Sequence, residues 1–328
     1  MSNDLLGAVT LNLALDITYD VDALTVGASH RVRTVRQRAG GKGVNVARVA
    51  HELGYDVLAL GFVGGMTGEL IAADLFDAGL TALLTPVAGE SRRSVAVVDT
   101  GAGDATVFNE PGPVVDADEW RAFCDRVPWG RLGVLACSGS LPPGLPADAY
   151  AELTARARHH GVPAVIDAGG AALVASAKAG ALVRANAAEL REALAAADGT
   201  AGRVDGDGRP EPAGERAQVD VAAGARRLIE LGATGAVITD GAAGMVAVTA
   251  KGAWRALPVE RVRGNPTGAG DACTAVVAAA VAGGNEDWPD VLRSAVAASA
   301  AAVLTPVAGD IEVEAYRRWR PRVVVQAV

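Results

Sequence analysis

Asp271 closes the run Asn265-Pro266-Thr267-Gly268-Ala269-Gly270-Asp271, and an apolar helical pattern, CTAVVAAAVAG, follows at once. A helix start presents unpaired N–H groups and partial positive charge, so an anion fits there, and glycine lets a phosphate come close to the backbone. A carboxylate at such a mouth makes chemical sense if it takes a proton from a hydroxyl. The amides of Gly268, Ala269 and Gly270 would meanwhile neutralise a transferring phosphoryl group. An ordinary aspartate complementing the helix dipole is the competing reading, and this segment alone leaves the two even. A second glycine turn, Gly40-Gly41-Lys42-Gly43-Val44-Asn45, also opens a helix. Asn45, one turn inside, either bonds a polar ligand or is an exposed helix residue. Neither segment is a Walker A loop or G-x-G-x-x-G, which disfavours a P-loop NTPase. GFVGGMTG, after an apolar run, also lacks the dinucleotide fingerprint, which disfavours a Rossmann oxidoreductase.

The elements that must position these residues alternate. Continuously apolar runs at Ala8–Leu11, Val57–Val63, Leu132–Ser138, Ala164–Asp167, Leu182–Asn186 and Ala236–Thr239 read as strands covered on both faces. Between them lie amphipathic helices. In Val44–Leu53 the residues Val46, Val49, Ala50 and Leu53 keep helical spacing, with Gly54 placed as a C-terminal cap. This alternation predicts an α/β fold, doubly wound around a mostly parallel sheet. Residues 17–38 and 94–110 break the rhythm with strands and turns and are expected to form a small β-sheet lid on one 328-residue domain. GAGDA occurs twice, at 101–105 and 268–272. The first copy sits between strand patterns and reads as a hairpin turn, the second as the helix start described above. Residues 199–216, rich in Gly, Pro and charge, read as a flexible surface loop.

Composition narrows the classes. The chain carries a net charge of -8, against bulk nucleic-acid binding, and 40 glycines without a G-X-Y period, against collagen. Three widely spaced cysteines and four histidines form no metal spacing. The cysteines read as free thiols in a reducing cytosol. The longest apolar stretches fall short of the ~18 residues of a membrane span, so a cytoplasmic protein without membrane association is expected.

Taken together, GGKGVNVARVAHELG and NPTGAGDACTAVVAAAVAG resemble the N- and C-terminal signatures of the ribokinase (PfkB) family of sugar kinases. LNLALD, SRRSVAV, FNEPGP, CSGSLPPG, RANAAEL and ITDGAAG match intermediate landmarks, so the resemblance runs from about Thr10 to Pro306. It implies a ribokinase-like three-layer α/β/α fold and ATP with Mg2+ as cofactors. It implies Asp271 as general base, with Gly268, Ala269 and Gly270 as the anion hole. Asp16, Gly40, Gly41, Lys42, Asn45 and Ser138 would lie on the sugar side. Asn186 and Glu189 would organise magnesium through water, although the same pair alone would read as a helix cap with a capping-box glutamate. Thr239, Gly241 and Gly244 would lie near the ATP phosphates. The family's lid sheets often pair between subunits, which implies a homodimer.

Local basicity bears on the sugar. Arg31, Arg33, Arg36 and Arg38 precede GGKG, and Arg92 and Arg93 lie in SRRSV. Guanidinium groups suit a sugar phosphate, while edge-strand charge that blocks aggregation accounts for part of the cluster. Arg92 and Arg31 are the candidate phosphate contacts. Arg92 looks like the arginine of the phosphofructokinase branch, and the stretch as a whole is similar to the 1-phosphofructokinase and tagatose-6-phosphate kinase group. The expected reaction is ATP-dependent phosphorylation of a ketohexose monophosphate: tagatose 6-phosphate, fructose 1-phosphate or fructose 6-phosphate. A kinase of an unphosphorylated sugar or nucleoside, and a non-catalytic sugar-binding regulator, are the alternatives. Four departures from the group stand out: Leu13 for proline, Ser91 and Ser94 for threonine and asparagine, Arg184 for lysine, and DAGG at Asp167–Gly170.

Overall fold

A computed structural model describes residues 5–199 and 220–328. The first half runs β1 (Leu5–Thr10), β2 (Ala14–Val21), β3 (Thr34–Gly40), α1 (Lys42–Glu52), β4 (Val57–Val63), α2 (Gly65–Asp77), β5 (Ala82–Pro86), β6 (Arg92–Asp99), β7 (Asp104–Asn109), α3 (Ala117–Arg126), β8 (Leu132–Ser138) and α4 (Ala149–His159). The second runs β9 (Ala164–Asp167), α5 (Gly170–Lys178), β10 (Leu182–Asn186), α6 (Ala187–Ala197), α7 (Val221–Glu230), β11 (Gly235–Thr239), β12 (Met245–Thr249), β13 (Gly252–Leu257), α8 (Ala269–Ala282), α9 (Trp288–Val303), α10 (Val313–Trp319) and β14 (Val324–Ala327). The apolar runs expected as strands form strands. The expected loop at 199–216 lies almost wholly outside the described residues.

The main sheet has ten strands in the order β14-β13-β12-β11-β10-β9-β8-β1-β4-β5. From β5 to β11 neighbours are parallel, and β11 to β14 are antiparallel. Each inner strand divides its side chains between two cores, as a period of two requires. Leu6 and Ala8 of β1, with Val134 and Ala136 of β8, face the core built from α1, α2, α8, α9 and α10. Val9, Leu135 and Cys137 face the opposite core, with α3 to α7. Both sides are covered, which is why the strands lack polar alternation. The three cysteines are free and buried. Among the described residues no helix is long and apolar enough to cross a membrane.

A separate four-stranded sheet, ordered β3-β2-β6-β7, is built from the segments expected to form the small sheet. The first GAGDA copy is its hairpin turn: β6 and β7 pair in antiparallel register from Ser94↔Asn109 to Asp99↔Asp104. Asp99 Oδ1 holds that turn by accepting from the amides of Gly101 and Ala102. The helix α1 ends as its sequence indicates. Gly54 has φ 85°, and the N–H groups of Gly54 and Tyr55 return to His51 and Ala50, a Schellman closure.

Candidate active site

A cavity of about 470 Å3 opens where β1 and β8 end. Chain order passes from β1 to β4 and β5 on one side, then resumes with β8 on the other. This is the switch point at which open parallel sheets bind ligands. Thr10 ends β1 and Asn12 follows it, Gly41 and Lys42 open α1, Arg92 and Asn109 come from the small sheet, and Gly139 and Ser140 follow β8; all line the cavity with Glu110, Pro111 and Leu141. Asn12 Nδ2 donates to the Pro111 carbonyl at 3.1 Å and Ser140 Oγ at 3.3 Å. Its Oδ1, and Thr10 Oγ1, are buried with no bond from the described protein.

The Gly40-Gly41 turn is forced by its neighbours. A Cβ on Gly40 would overlap the Asp16 carboxylate, and one on Gly41, at φ 109°, would strike the Thr10 methyl. Asp16 thus sits against the turn. Burial raises its pKa to about 6, although Arg92, Arg38 and Arg48 pull the other way. Arg92 Nε donates to the Asn12 carbonyl at 3.0 Å. Arg92 forms no ion pair among the described residues. Three arginines on or next to β3 do: Arg33 with Asp22, Arg36 with Asp20, and Arg38 with Asp310; Arg93, beside Arg92 on β6, turns to Thr67 Oγ1 at 3.4 Å instead.

Lys42 Nζ bonds Glu189 Oε1 at 2.9 Å and Asp167 Oδ1 at 3.4 Å. Burial works against its charge, but Asp167 and Glu189 outweigh burial and hold it above the usual lysine range. One turn on, Asn45 Nδ2 donates to Asp271 Oδ2 at 2.7 Å. Asp271 is 5% exposed. Burial, helped by the nearby Asp167, raises its pKa to about 7 against the pull of Asn45, Lys42 and Arg184. A carboxylate of that pKa can both accept and release a proton at neutral pH. It lies in the first turn of α8, behind Gly268, which caps the helix with φ 88° and no side-chain bond.

A buried ion group joins these parts. Asp167, at the end of β9, accepts from Arg184 Nη1 at 3.3 and 3.2 Å and from Thr274 Oγ1 at 2.8 Å. Burial would raise its pKa, but Arg184 and Lys42 outweigh that and lower it. Arg184 Nη2 also donates to Thr239 Oγ1 at 3.1 Å, and a Cβ on Gly270 would overlap the guanidinium.

Several expected residues are placed differently from their anticipated roles. Arg31 is exposed and is not among the cavity-lining residues, because the segment before β3 runs away from the site. Ser138 is fully buried and stands behind Gly139 and Ser140, since β8 still runs within the sheet at that point. The Ala269 amide turns back to the Pro266 carbonyl at 3.2 Å, which leaves Gly268 and Gly270 of the three amides expected to receive an anion. Asn186 Oδ1 accepts from Ala188 and Glu189, and Glu189 Oε2 accepts from the Asn186 amide, a complete capping box. Asn186 therefore orients Glu189, whose other oxygen meets Lys42. Gly244 packs on the Ala256 carbonyl and Gly241 borders open space. Thr274, Asn12 and Thr10 have no site role in the sequence reading, and Asp167 figures there only as the end of a strand run and the start of DAGG. The signal available was position alone: each polar residue ends or directly follows an apolar strand, or lies one turn beyond Gly270.

Residues 9–314 match the model of the pfkB family carbohydrate kinases. The fold is similar to phosphofructokinase-2 from Escherichia coli in complex with potassium, at 24% identity, over 97% of this chain and 98% of that one, with a TM-score of 0.84. It is also similar to a possible 1-phosphofructokinase from Thermotoga maritima, at 23% identity, 99% of both chains and a TM-score of 0.81. Ribokinase from the same organism matches at 18% identity, over 96% of this chain and 98% of that one, with a TM-score of 0.73. A helix-start carboxylate held by Asn45, a cavity at the switch point and a small separate sheet thus coincide with a family match over nearly the whole length, and the chain belongs to the pfkB family of carbohydrate kinases.

Proposed function

We propose that this kinase transfers the γ-phosphoryl group of ATP to a hydroxyl of a ketohexose monophosphate, giving a bisphosphate. One observation carries the sugar-phosphate part. Arg92 lines the cavity and has no ion pair among the described residues, held by the Asn12 carbonyl, while Arg33, Arg36 and Arg38 are each matched by a carboxylate. A guanidinium fixed at Nε presents its remaining donors to a phosphate. The neighbouring phosphofructokinases act on substrates of this class by name.

In the reaction, Asp271 takes the proton of the acceptor hydroxyl as its oxygen forms the bond to phosphorus and the bond from phosphorus to the β-phosphate oxygen of ATP breaks. The Gly268 and Gly270 amides and the Lys42 ammonium stabilise the negative charge on the transferring group. Asp16 holds sugar hydroxyls, and Thr239 with the Gly241–Gly244 loop borders the nucleotide. The donor chemistry near Glu189 suits Mg2+, which prefers oxygen, keeps several waters and is usually bound by one or two carboxylates plus substrate phosphates. Among the described residues each Glu189 oxygen accepts one hydrogen bond, with Arg184 Nη1 3.9 Å from Oε2, and keeps a lone pair for a metal-bound water. Glu189, oriented by Asn186, would hold the ion, which when bound neutralises phosphate charge.

We also read the lid as the contact of a homodimer. Ile17, Val95 and Phe108 stand in one cross-strand row, and Phe108 and Val35 remain exposed. Phe108→Arg should convert a dimer to a monomer in light scattering, and an unchanged mass would remove this reading.

The deciding experiment measures ADP release with fructose 1-phosphate, fructose 6-phosphate, tagatose 6-phosphate, free fructose and ribose. Turnover on one of the phosphates is expected, with Asp271→Ala slower by about 10²–10⁴. Preference for a free sugar, with Arg92→Ala harmless, would overturn the sugar-phosphate part. Sugar binding without ADP release on any substrate would make the chain a regulator.

A further inference from the structure

Arg184 stands where the similar group has lysine, and it is buried in a fixed set of partners. Its side chain is 5% exposed, and Asp167 beside it is 0% exposed. Nη1 is held by both Asp167 oxygens, and Nη2 by Thr239 Oγ1 at 3.1 Å. Nε is buried and unbonded. The Nη1 and Nη2 side of the guanidinium lies against Gly270, where a Cβ would meet Nη2, Nη1 and Cζ in turn. One planar group therefore touches the amide turn of α8, the end of β11 before the Gly241–Gly244 loop, and the end of β9. Asp167 is tied further to α8 by Thr274.

We propose that Arg184 is a positioning residue for phosphoryl transfer, a wedge that fixes the Gly268–Gly270 turn relative to Thr239. The amides that receive the γ-phosphoryl group and the strand end that borders the nucleotide then keep one spacing. Its charge is matched by Asp167, so shape and fork geometry rather than net charge carry the role. This also explains why the third position of the GAGD turn is glycine: the guanidinium occupies the volume of a side chain. A lysine could keep the charge opposite Asp167. Its single nitrogen cannot fill the place of two fixed nitrogens against Gly270 and has no second arm for Thr239.

This inference rests on the kinase reading above, and its test separates the two. Wild type, Arg184→Lys, Arg184→Met and the double variant Arg184→Met/Asp167→Asn are compared by melting temperature and by kcat and KM for ATP and the best sugar phosphate. Arg184→Lys is expected to fold, to keep KM for the sugar within about twofold, and to lose about 10²-fold in kcat, the size of effect that follows a 1 Å misplacement. The double variant removes the buried charge together with its partner. It should recover melting temperature over Arg184→Met while remaining slow. Wild-type kcat in Arg184→Lys, or recovery of kcat in the double variant, would show that Arg184 serves only to neutralise Asp167. Absence of sugar-phosphate turnover in the wild type overturns the kinase reading instead.

Discussion

Asn45 offers the sharpest test of the base. Its Nδ2 donates to Asp271 Oδ2 at 2.7 Å, and both side chains are buried. That bond favours the ionised carboxylate and opposes the burial and the Asp167 charge that raise the pKa to about 7. Asn45→Leu keeps much of the volume and removes the donor. A hydrogen bond to a charged group contributes about 1.5–3 kcal/mol, and one pKa unit corresponds to about 1.36 kcal/mol. The Asp271 pKa should therefore rise by about one to two units. At pH 7 the ionised share of the base would fall from about half to between about one tenth and one hundredth. The assay is ADP release, with kcat/KM followed from pH 5.5 to 9.5. Wild type should show an acid limb near pH 7, and Asn45→Leu the same limb displaced upward by about one unit or more, with the two curves converging in alkali. Since Asn45 borders the sugar turn, curve height can change for other reasons, so the position of the limb decides. An acid limb that stays in place in Asn45→Leu, or a wild-type limb near pH 4, would refute the reasoning.

Other consequences follow from the same groups. Because Asp271 binds its proton more tightly in the folded chain, ionisation lowers stability as pH rises from the ordinary value of 3.8 through about 7. Asp271→Asn should thus melt above wild type at pH 8 and show no such advantage below pH 4 in thermal unfolding at matched pH. Arg92→Leu should raise KM for the sugar phosphate by about 10-fold or more, the loss of a charge-assisted contact, with kcat little changed; steady-state kinetics on phosphorylated and free sugar checks this, and equal effects on both would place the phosphate elsewhere. Glu189→Gln keeps most of the capping shape but loses the carboxylate charge that faces Lys42. It should raise the Mg2+ concentration needed for half-maximal rate, read by magnesium titration at fixed ATP. Asn186→Ala, which removes the cap, should cost about 1 kcal/mol of stability, measured by denaturant unfolding.

Much of this architecture could be read before any coordinates, because the signals are local. Apolar runs too long to alternate mark strands covered on both faces, and Val57–Val63 and Leu132–Ser138 form strands with those same bounds. The two GAGDA copies were told apart by their flanks, and a hairpin and a helix start are what they form. The signatures placed Asp271, Asn45 and the Gly40-Gly41 turn in one site, and the structure joins the first two by a hydrogen bond. Spacing along the chain carries this information, since a helix cap, a turn glycine and a strand period each depend on a few neighbours.

Tertiary structure alone decided which charges cancel. Arg31, Arg33, Arg36 and Arg38 form one basic run in sequence, yet three of them meet Asp22, Asp20 and Asp310, and Arg31 stays in solvent. Arg92 is set apart only because β6 runs beside β2 and brings it to Asn12. Asp167 and Arg184, 17 residues apart, meet because β9 and β10 are parallel neighbours, and the pair reaches Gly270 and Thr239 from two further elements. Coulomb energy and desolvation depend on distance through space and on burial, and neither is written in the order of residues. The sequence by itself therefore determined the family and the fold and singled out Asp271 as the candidate base; the folded chain determined which cations remain available to an anion and which carboxylate is poised near neutral pH.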